Sequence, residues 1–331
     1  MEKIKLDPNQ IISKTFGIPV ADAYDGFYYD YEGYIKVVLK KDKKTILYNF
    51  INEKGQELSK VWFKKCGKFK NGMVPVILTD GKHNILTSDG RLLLRKNNNY
   101  ISIKHFANDF FIAQGIDQKY RIISREGKQI KRYFDTVIVL DCETKNNEQY
   151  ILVKRDSKWN VIGKDGEYLL ERFFINANKL KNILNVWYPT ANPKVFYHKF
   201  IDLRTGNVIL EGEYLNVKFV PSYNYFLLIK KDGKVNVLNT EGKVLFKEWY
   251  DKILFDSWHF ANFACFYVYK KVLHKPYELV TLFDVDGNNI VNNIWFDKIE
   301  SRLVEDFVKF ELKKNKYKYV YDSKEKKLVL F

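Results

Sequence analysis

Hydrophobic and polar positions alternate along this chain in short runs, each closed by a polar turn. Met73-Val74-Pro75-Val76-Ile77-Leu78 ends at Asp80-Gly81, and Gln149-Tyr150-Ile151-Leu152-Val153 and Tyr225-Phe226-Leu227-Leu228-Ile229 are runs of the same kind. Aliphatic, β-branched and aromatic residues in runs this short, bounded by turn residues, predict β-strands.

A second run follows each of these and ends in a turn of two polar residues and a glycine. The turns read Asn52-Glu53-Lys54-Gly55, Thr87-Ser88-Asp89-Gly90, Ser124-Arg125-Glu126-Gly127 and Gly163-Lys164-Asp165-Gly166. They continue as Leu203-Arg204-Thr205-Gly206, Asn239-Thr240-Glu241-Gly242 and Asp284-Val285-Asp286-Gly287. The glycines are 35, 37, 39, 40, 36 and 45 residues apart, a repeat rather than a coincidence. Gly reaches the positive φ of a tight hairpin turn, and the Asn, Asp or Ser ahead of it bonds the local backbone. An eighth turn, Asp322-Ser323-Lys324, places Lys324 where glycine is due and is followed by Lys327-Leu328-Val329-Leu330. After the hairpin comes an aromatic-Asp step: Phe134-Asp135, Tyr250-Asp251 and Phe296-Asp297. One repeat is thus expected to hold four short antiparallel strands in about 40 residues, as a propeller blade or a solenoid coil does.

Lys158-Trp159-Asn160-Val161-Ile162 with Gly166 resembles the WG-repeat family, bacterial and phage β-repeats whose unit carries a Lys-Trp-Gly strand, a Gly turn and an aromatic-Asp step. The Trp-Gly dipeptide is degenerate here. Its positions hold Tyr48-Asn49, His83-Asn84, Tyr120-Arg121, Trp159-Asn160, Val235-Asn236 and Tyr317-Lys318. Asn in place of Gly suggests a position with unusual backbone angles. The resemblance implies a repeat fold and transfers no catalytic residue. A short extension, residues 1–15, precedes a single β-repeat domain, residues 16–331. The chain stops just before an aromatic-Asp step is due, and Tyr24-Asp25 supplies one near the other end. The expected all-β fold is therefore an eight-bladed β-propeller closed by an N-terminal strand from roughly residues 16–30, with an open solenoid as the alternative.

Composition sharpens this picture in two ways. Hydrophobic residues are 46% and aromatics 16% of the 331, enough for a large core. The net charge of +16 favours anionic partners, although Lys36, Lys40, Lys41, Lys43 and Lys44 are what a solvated strand face also carries. Cys66, Cys142 and Cys265 stand too far apart for a disulfide framework or a zinc motif. With no secretory leader and no apolar run long enough to span a membrane, a cytoplasmic protein without membrane insertion is expected.

Candidate chemistry is sparse. No phosphate-binding loop, dinucleotide fingerprint, HExxH or GxSxG motif occurs, and His83, His105, His198, His259 and His274 do not share metal-ligand spacing. Asp284-Val285-Asp286-Gly287 departs from a calcium loop, because its glycine comes too early. Asp135, Asp251 and Asp297 recur as structural parts do, and are expected to bond backbone amides at turns. No catalytic, metal or cofactor residue is therefore assigned. The repeats differ most at Trp187-Tyr188-Pro189 through His198, and at Trp258-His259-Phe260 with Tyr277. Insertions in repeat proteins gather on one face, and Trp and Tyr are strong interface anchors, so these residues are the candidate contact loops. Either Trp187 or Trp258 could equally be core. The expected function is a non-catalytic module binding a protein partner, as a scaffold or part of a bacterial or phage assembly. Nucleic acid is the alternative partner, through Lys and aromatic residues interleaved as in Lys316-Tyr317-Lys318-Tyr319.

Overall fold

A computed structural model of the protein describes residues 24–29, 32–52, 55–95, 98–106, 110–130, 133–140, 150–163, 165–220, 224–258, 263–273, 277–304 and 307–330. Residues 1–15, the expected extension, lie outside them. Every helix-or-strand element among the described residues is a β-strand. They fall in two compact units, residues 1–173 and 174–331.

In the first unit, β1 (Gly26–Tyr29), β2 (Ile35–Lys40), β3 (Ile46–Ile51), β4 (Phe63–Cys66), β5 (Met73–Leu78) and β6 (His83–Thr87) form one sheet. Its halves meet at the pair Tyr48–Phe63. Strands β7 (Tyr100–Phe106), β8 (Phe110–Gly115) and β9 (Tyr120–Ser124) form a second sheet. Strands β10 (Thr136–Leu140), β11 (Tyr150–Arg155) and β12 (Lys158–Ile162) form a third.

The second unit opens with a four-stranded sheet of β13 (Asn176–Leu180), β14 (Ile183–Pro189), β15 (Phe196–Asp202) and β16 (Asn207–Tyr214). Two three-stranded sheets follow: β17 (Asn216–Val220), β18 (Tyr225–Ile229), β19 (Val235–Asn239), then β20 (Lys252–Trp258), β21 (Phe263–Lys271), β22 (Glu278–Asp284). The last sheet has β23 (Lys298–Val304), β24 (Phe307–Lys314), β25 (Tyr317–Asp322) and β26 (Lys327–Leu330). All these pairings are antiparallel between sequence neighbours, which is the expected repeat.

Alternation along the middle strand explains how the sheets stack. On β21, Phe266 and Val268 pack with Tyr225, Val235 and Val237 of the preceding sheet. Cys265 and Tyr267, pointing the other way, pack with Val308, Phe310 and Leu312 of the following one. In the first unit, Phe111 and Ala113 of β8 face Met73 and Ile85, while Ile112 faces Ile151 and Val153. Period-2 side chains thus give β8 and β21 two buried faces, one toward each neighbouring sheet.

Most repeats pair three strands, where four were expected. The run after the glycine turn makes one bridge, as at Leu86–Leu92, Ile123–Gln129, Leu238–Val244 and Phe283–Asn289. Loop length is the physical difference. In these repeats three residues separate the bonded pairs Thr87–Arg91, Ser124–Lys128, Asn239–Lys243 and Asp284–Asn288, and glycine closes the loop at positive φ. Before β16 and β26, which are full strands, the loops have four residues, between Asp202 and Asn207 and between Asp322 and Lys327. The left-handed residue of the last loop is accordingly Lys326, φ 50°, and not Lys324. Strand β26 gives the last sheet a fourth strand, and β1 pairs with β2; residues 16–23 and 30 of the expected closing segment lie outside the described residues.

The recurrent Asn has a different role from the one its backbone tolerance suggests. Asn49, Asn84, Asn160 and Asn236 are buried and none has positive φ. Each Nδ2 donates to a carbonyl ten residues on: Ser59 at 2.7 Å, Leu94 at 3.1 Å, Leu170 at 2.9 Å and Phe246 at 2.9 Å. The side chain thereby pins the segment that follows the turn and satisfies a buried backbone group that no strand partner reaches. Six residues before the left-handed turn residue, Phe200 and Val320 occupy this position in the two repeats whose run continues as a strand.

Candidate functional site

The recurring carboxylates have structural partners, as expected. Asp25, Asp135, Asp251 and Asp297 each accept, through Oδ2, a backbone N–H from the turn ahead: Lys40, Asp156, Lys271 and Asn315, at 2.6, 3.0, 2.7 and 2.6 Å. Asp135 also pairs with Lys119, and Asp251 with Lys234 at 2.8 Å. Among the described residues no group of three or more His, Cys, Asp or Glu is placed to hold a metal ion.

The candidate contact residues separate into three environments. Trp187 and Tyr188 lie on strand β14 and are half-buried, so the loop of this repeat is only residues 190–195. His198 is on β15, 4% exposed, and pairs across the sheet with Trp187, their rings stacked at 5.7 Å. It is a core histidine, not a contact residue: its Nδ1 lies 3.0 Å from Asn185 Oδ1, and burial lowers its pKa to about 4. Trp258 ends β20, and its side chain lies outside the described residues, as do His259 and Phe260. Tyr277 is exposed beside β22 and lines a cleft of about 930 Å³ with Tyr269, Val272, Leu273, Asp297 and Lys298. Leu273 in that wall is 82% exposed, an unusual position for a large aliphatic side chain.

A second cleft, of about 570 Å³, escapes the pattern of repeat departures. Lys65, Lys68 and Lys70 line one wall, Lys104 another, and His83 and His105 also face it, with no carboxylate among its lining residues. Local strand geometry builds it. A bulge between Phe63 and Lys65 shifts the register of β4, so that Lys65 pairs with Ile77, which pairs in turn with His83. A bulge re-aims the side chains beyond it in this way. The arm then runs extended to Lys70, with Gly67 N donating to Pro75 O at 2.9 Å and Lys70 bonded to Met73 on both sides. Asn71 and Gly72, at φ 50° and 73°, close it as the two-residue turn an Asn-Gly pair favours. Glu32 accepts the Gly72 N–H at 2.8 Å and also that of Asn71, so the nearby acid is engaged by the turn backbone. His105 Nε2 donates to Met73 O at 3.1 Å, and burial, reinforced by Lys70, lowers this imidazole to about 4. His83 is likewise lowered by burial. The positive charge of the cleft is therefore lysine charge at neutral pH. A sequence signal existed: residues 60–70 hold Lys60, Lys64, Lys65, Lys68 and Lys70 and no acid.

No family model matches the chain, and no curated protein matches it. Among solved structures it is similar to BamB from Moraxella catarrhalis, with 12% identity over 79% of this chain and 82% of that one, TM-score 0.26. It is similar to the computationally designed Ika8 protein, with 13% identity over 93% and 96%, TM-score 0.27. The WD40 β-propeller domain of Doa1 is 14% identical over 64% and 76%, TM-score 0.24. At scores this low the likenesses carry no weight, and the all-β repeat character rests on the strand pairing.

Proposed function

We propose that the protein is a non-catalytic interaction module, a scaffold of eight WG-like β-repeats closed as a propeller, and that its principal partner is a protein. The observation that carries the protein-contact reading is the cleft beside β22. A largely exposed Leu273 and an exposed Tyr277 stand there with Tyr269 and Val272, ringed by Lys234, Lys271, Glu278, Asp297 and Lys298. An aromatic and aliphatic centre with a rim of mixed charge is how protein interfaces are built. The non-catalytic reading draws support from the recurring Asn and Asp side chains, whose hydrogen bonds go to the backbone.

Affinity capture with cross-linking, comparing the unaltered protein with Leu273→Asp/Tyr277→Ala, tests the contact surface. Loss of specific cross-links to one partner, with folding intact, is expected. Cross-links unchanged by the double substitution would remove this surface from the reading. Closure is tested by small-angle scattering: a compact chain of this length has a radius of gyration of about 20 Å, and an open array exceeds it.

A further inference from the structure

We propose that the lysine-lined cleft at β4, β5 and β7 binds the phosphodiester backbone of single-stranded nucleic acid. The proposal is independent of the protein contact placed at Tyr277. Charge, shape and the break in the repeat all point to this occupant. Where other repeats read Phe134-Asp135 or Phe296-Asp297, this one reads Phe63-Lys64, so the carboxylate that caps a turn elsewhere has become a cation. Four lysines line the cleft and no acid does, a composition that concentrates anions.

The lysines are also arranged for a chain and not for one phosphate. Lys65, Lys68 and Lys70 sit along one extended arm, held against Met73–Ile77 by the pairing described above. At about 3.3 Å per residue the arm is roughly 16 Å long, so its charges cannot converge on a single group. Successive phosphates of a strand meet such a row one after another. Lys104, exposed on β7, faces them from another wall. Between the lysines the lining is largely apolar, with Pro75, Ile77 and the uncharged His83 imidazole. Imidazole and aliphatic faces accept unpaired bases, which a duplex would keep stacked inside.

The test is fluorescence anisotropy with a labelled oligothymidylate of about 20 nucleotides, longer than one binding site of this class, across a salt series. Each phosphate contact to a single strand contributes about −0.7 to the slope of log K against log salt. Four lysines give a slope near −3, and roughly a 50-fold loss of affinity between about 50 and 200 mM salt. Lys65→Gln/Lys104→Gln is expected to flatten the slope by about 1.4 and to weaken binding at every salt concentration. Lys41→Gln/Lys43→Gln removes the same charge from an exposed turn elsewhere and is expected to leave the slope within error. Equal losses in both variants would make the binding a property of the net charge and overturn the site. So would tighter binding of duplex than of single strand, or heparin competing as well as oligothymidylate, since either removes the single-strand preference. Matching thermal unfolding of the two variants shows that neither result comes from misfolding.

Discussion

Gly287 lies so close to Leu245 that a Cβ on the glycine would stand 2.7 Å from the Leu245 carbonyl oxygen. The residue three positions after the preceding repeat's glycine also crowds Gly90, through the Leu58 carbonyl oxygen, and Gly127, through Leu93, while at Gly166 and Gly242 the near atom is the Cδ1 end of Ile130 and of Ile209. In these five cases the turn rests on the turn before it. Glycine is needed there for want of room as well as for its φ of 84°.

Gly233 separates these two requirements. Its φ is 82°, but nothing lies within 4 Å of the Cβ it lacks. Gly233→Ala should cost only the left-handed backbone penalty, about 1 kcal/mol. Gly287→Ala should cost about 2 kcal/mol more, because a backbone oxygen must move. Urea midpoints of the two variants check this, and equal midpoints would mean that the repeats do not stack through their turns.

Asn236 decides between two explanations of the recurring Asn. Its Nδ2 donates to Phe246 O and to Glu248 O at 3.0 Å, and its Oδ1 accepts from Val237 N at 2.7 Å. Asn236→Ala should cost about 1–3 kcal/mol. Asn236→Gly, which restores the residue of the resembled family, should be no better, since glycine in a strand is itself unfavourable by about 0.5–1 kcal/mol. If the glycine variant melted with the unaltered protein, backbone freedom would be the operative property after all.

What could be read in the sequence is what local chemistry determines. Strand positions, the turn glycines and the aromatic-Asp steps follow from alternation and from side chains bonding residues nearby. The missing fourth strand could not be read, because it depends on one loop residue, three against four, that leaves the same motif intact. Nor could the Asn role, whose partner lies ten residues away across a turn. Pro189 and Pro193, which follow Trp187, suggest a loop there. Strand β14 in fact runs to Pro189, paired with β15 throughout. The basic cleft depends on a register shift at Lys64 that brings together residues from four strands, and only its acid-free composition showed in the sequence.

Cys265 and Cys66 should differ sharply as nucleophiles. Cys265 is fully buried, and burial pushes its thiol well above the ordinary range. Cys66 is half-buried and borders the lysine cleft. Since the thiolate is the reactive form, iodoacetamide at pH 8 should modify Cys66 in the folded protein and spare Cys265 until urea is added. Peptide mass spectrometry over time reads both sites. Early modification of Cys265 would contradict the packing between β21 and its neighbours.

The pair His198–Asn185 should make stability depend on pH. Both side chains are buried, and His198 Nε2 and Asn185 Nδ2 have no hydrogen-bond partner. A proton on this imidazole would be a buried charge, which is why its pKa falls from 6.5 to about 4. The unfolded chain therefore binds a proton between these values that the folded chain refuses. Stability is complete above about pH 6.5 and declines as pH falls toward 4, by on the order of 3 kcal/mol for this residue. His105, lowered to about 4 in the same way, adds to the decline. Replacing both members, His198→Leu/Asn185→Leu, removes two unsatisfied buried nitrogens and is expected to be neutral or stabilising at pH 7. Asn185→Leu alone strands His198 and should destabilise. Melting temperatures at pH 7 and 4.5 distinguish the variants: the double substitution should lose less on acidification than the unaltered protein, and an equal loss in both would move the acid sensitivity away from His198.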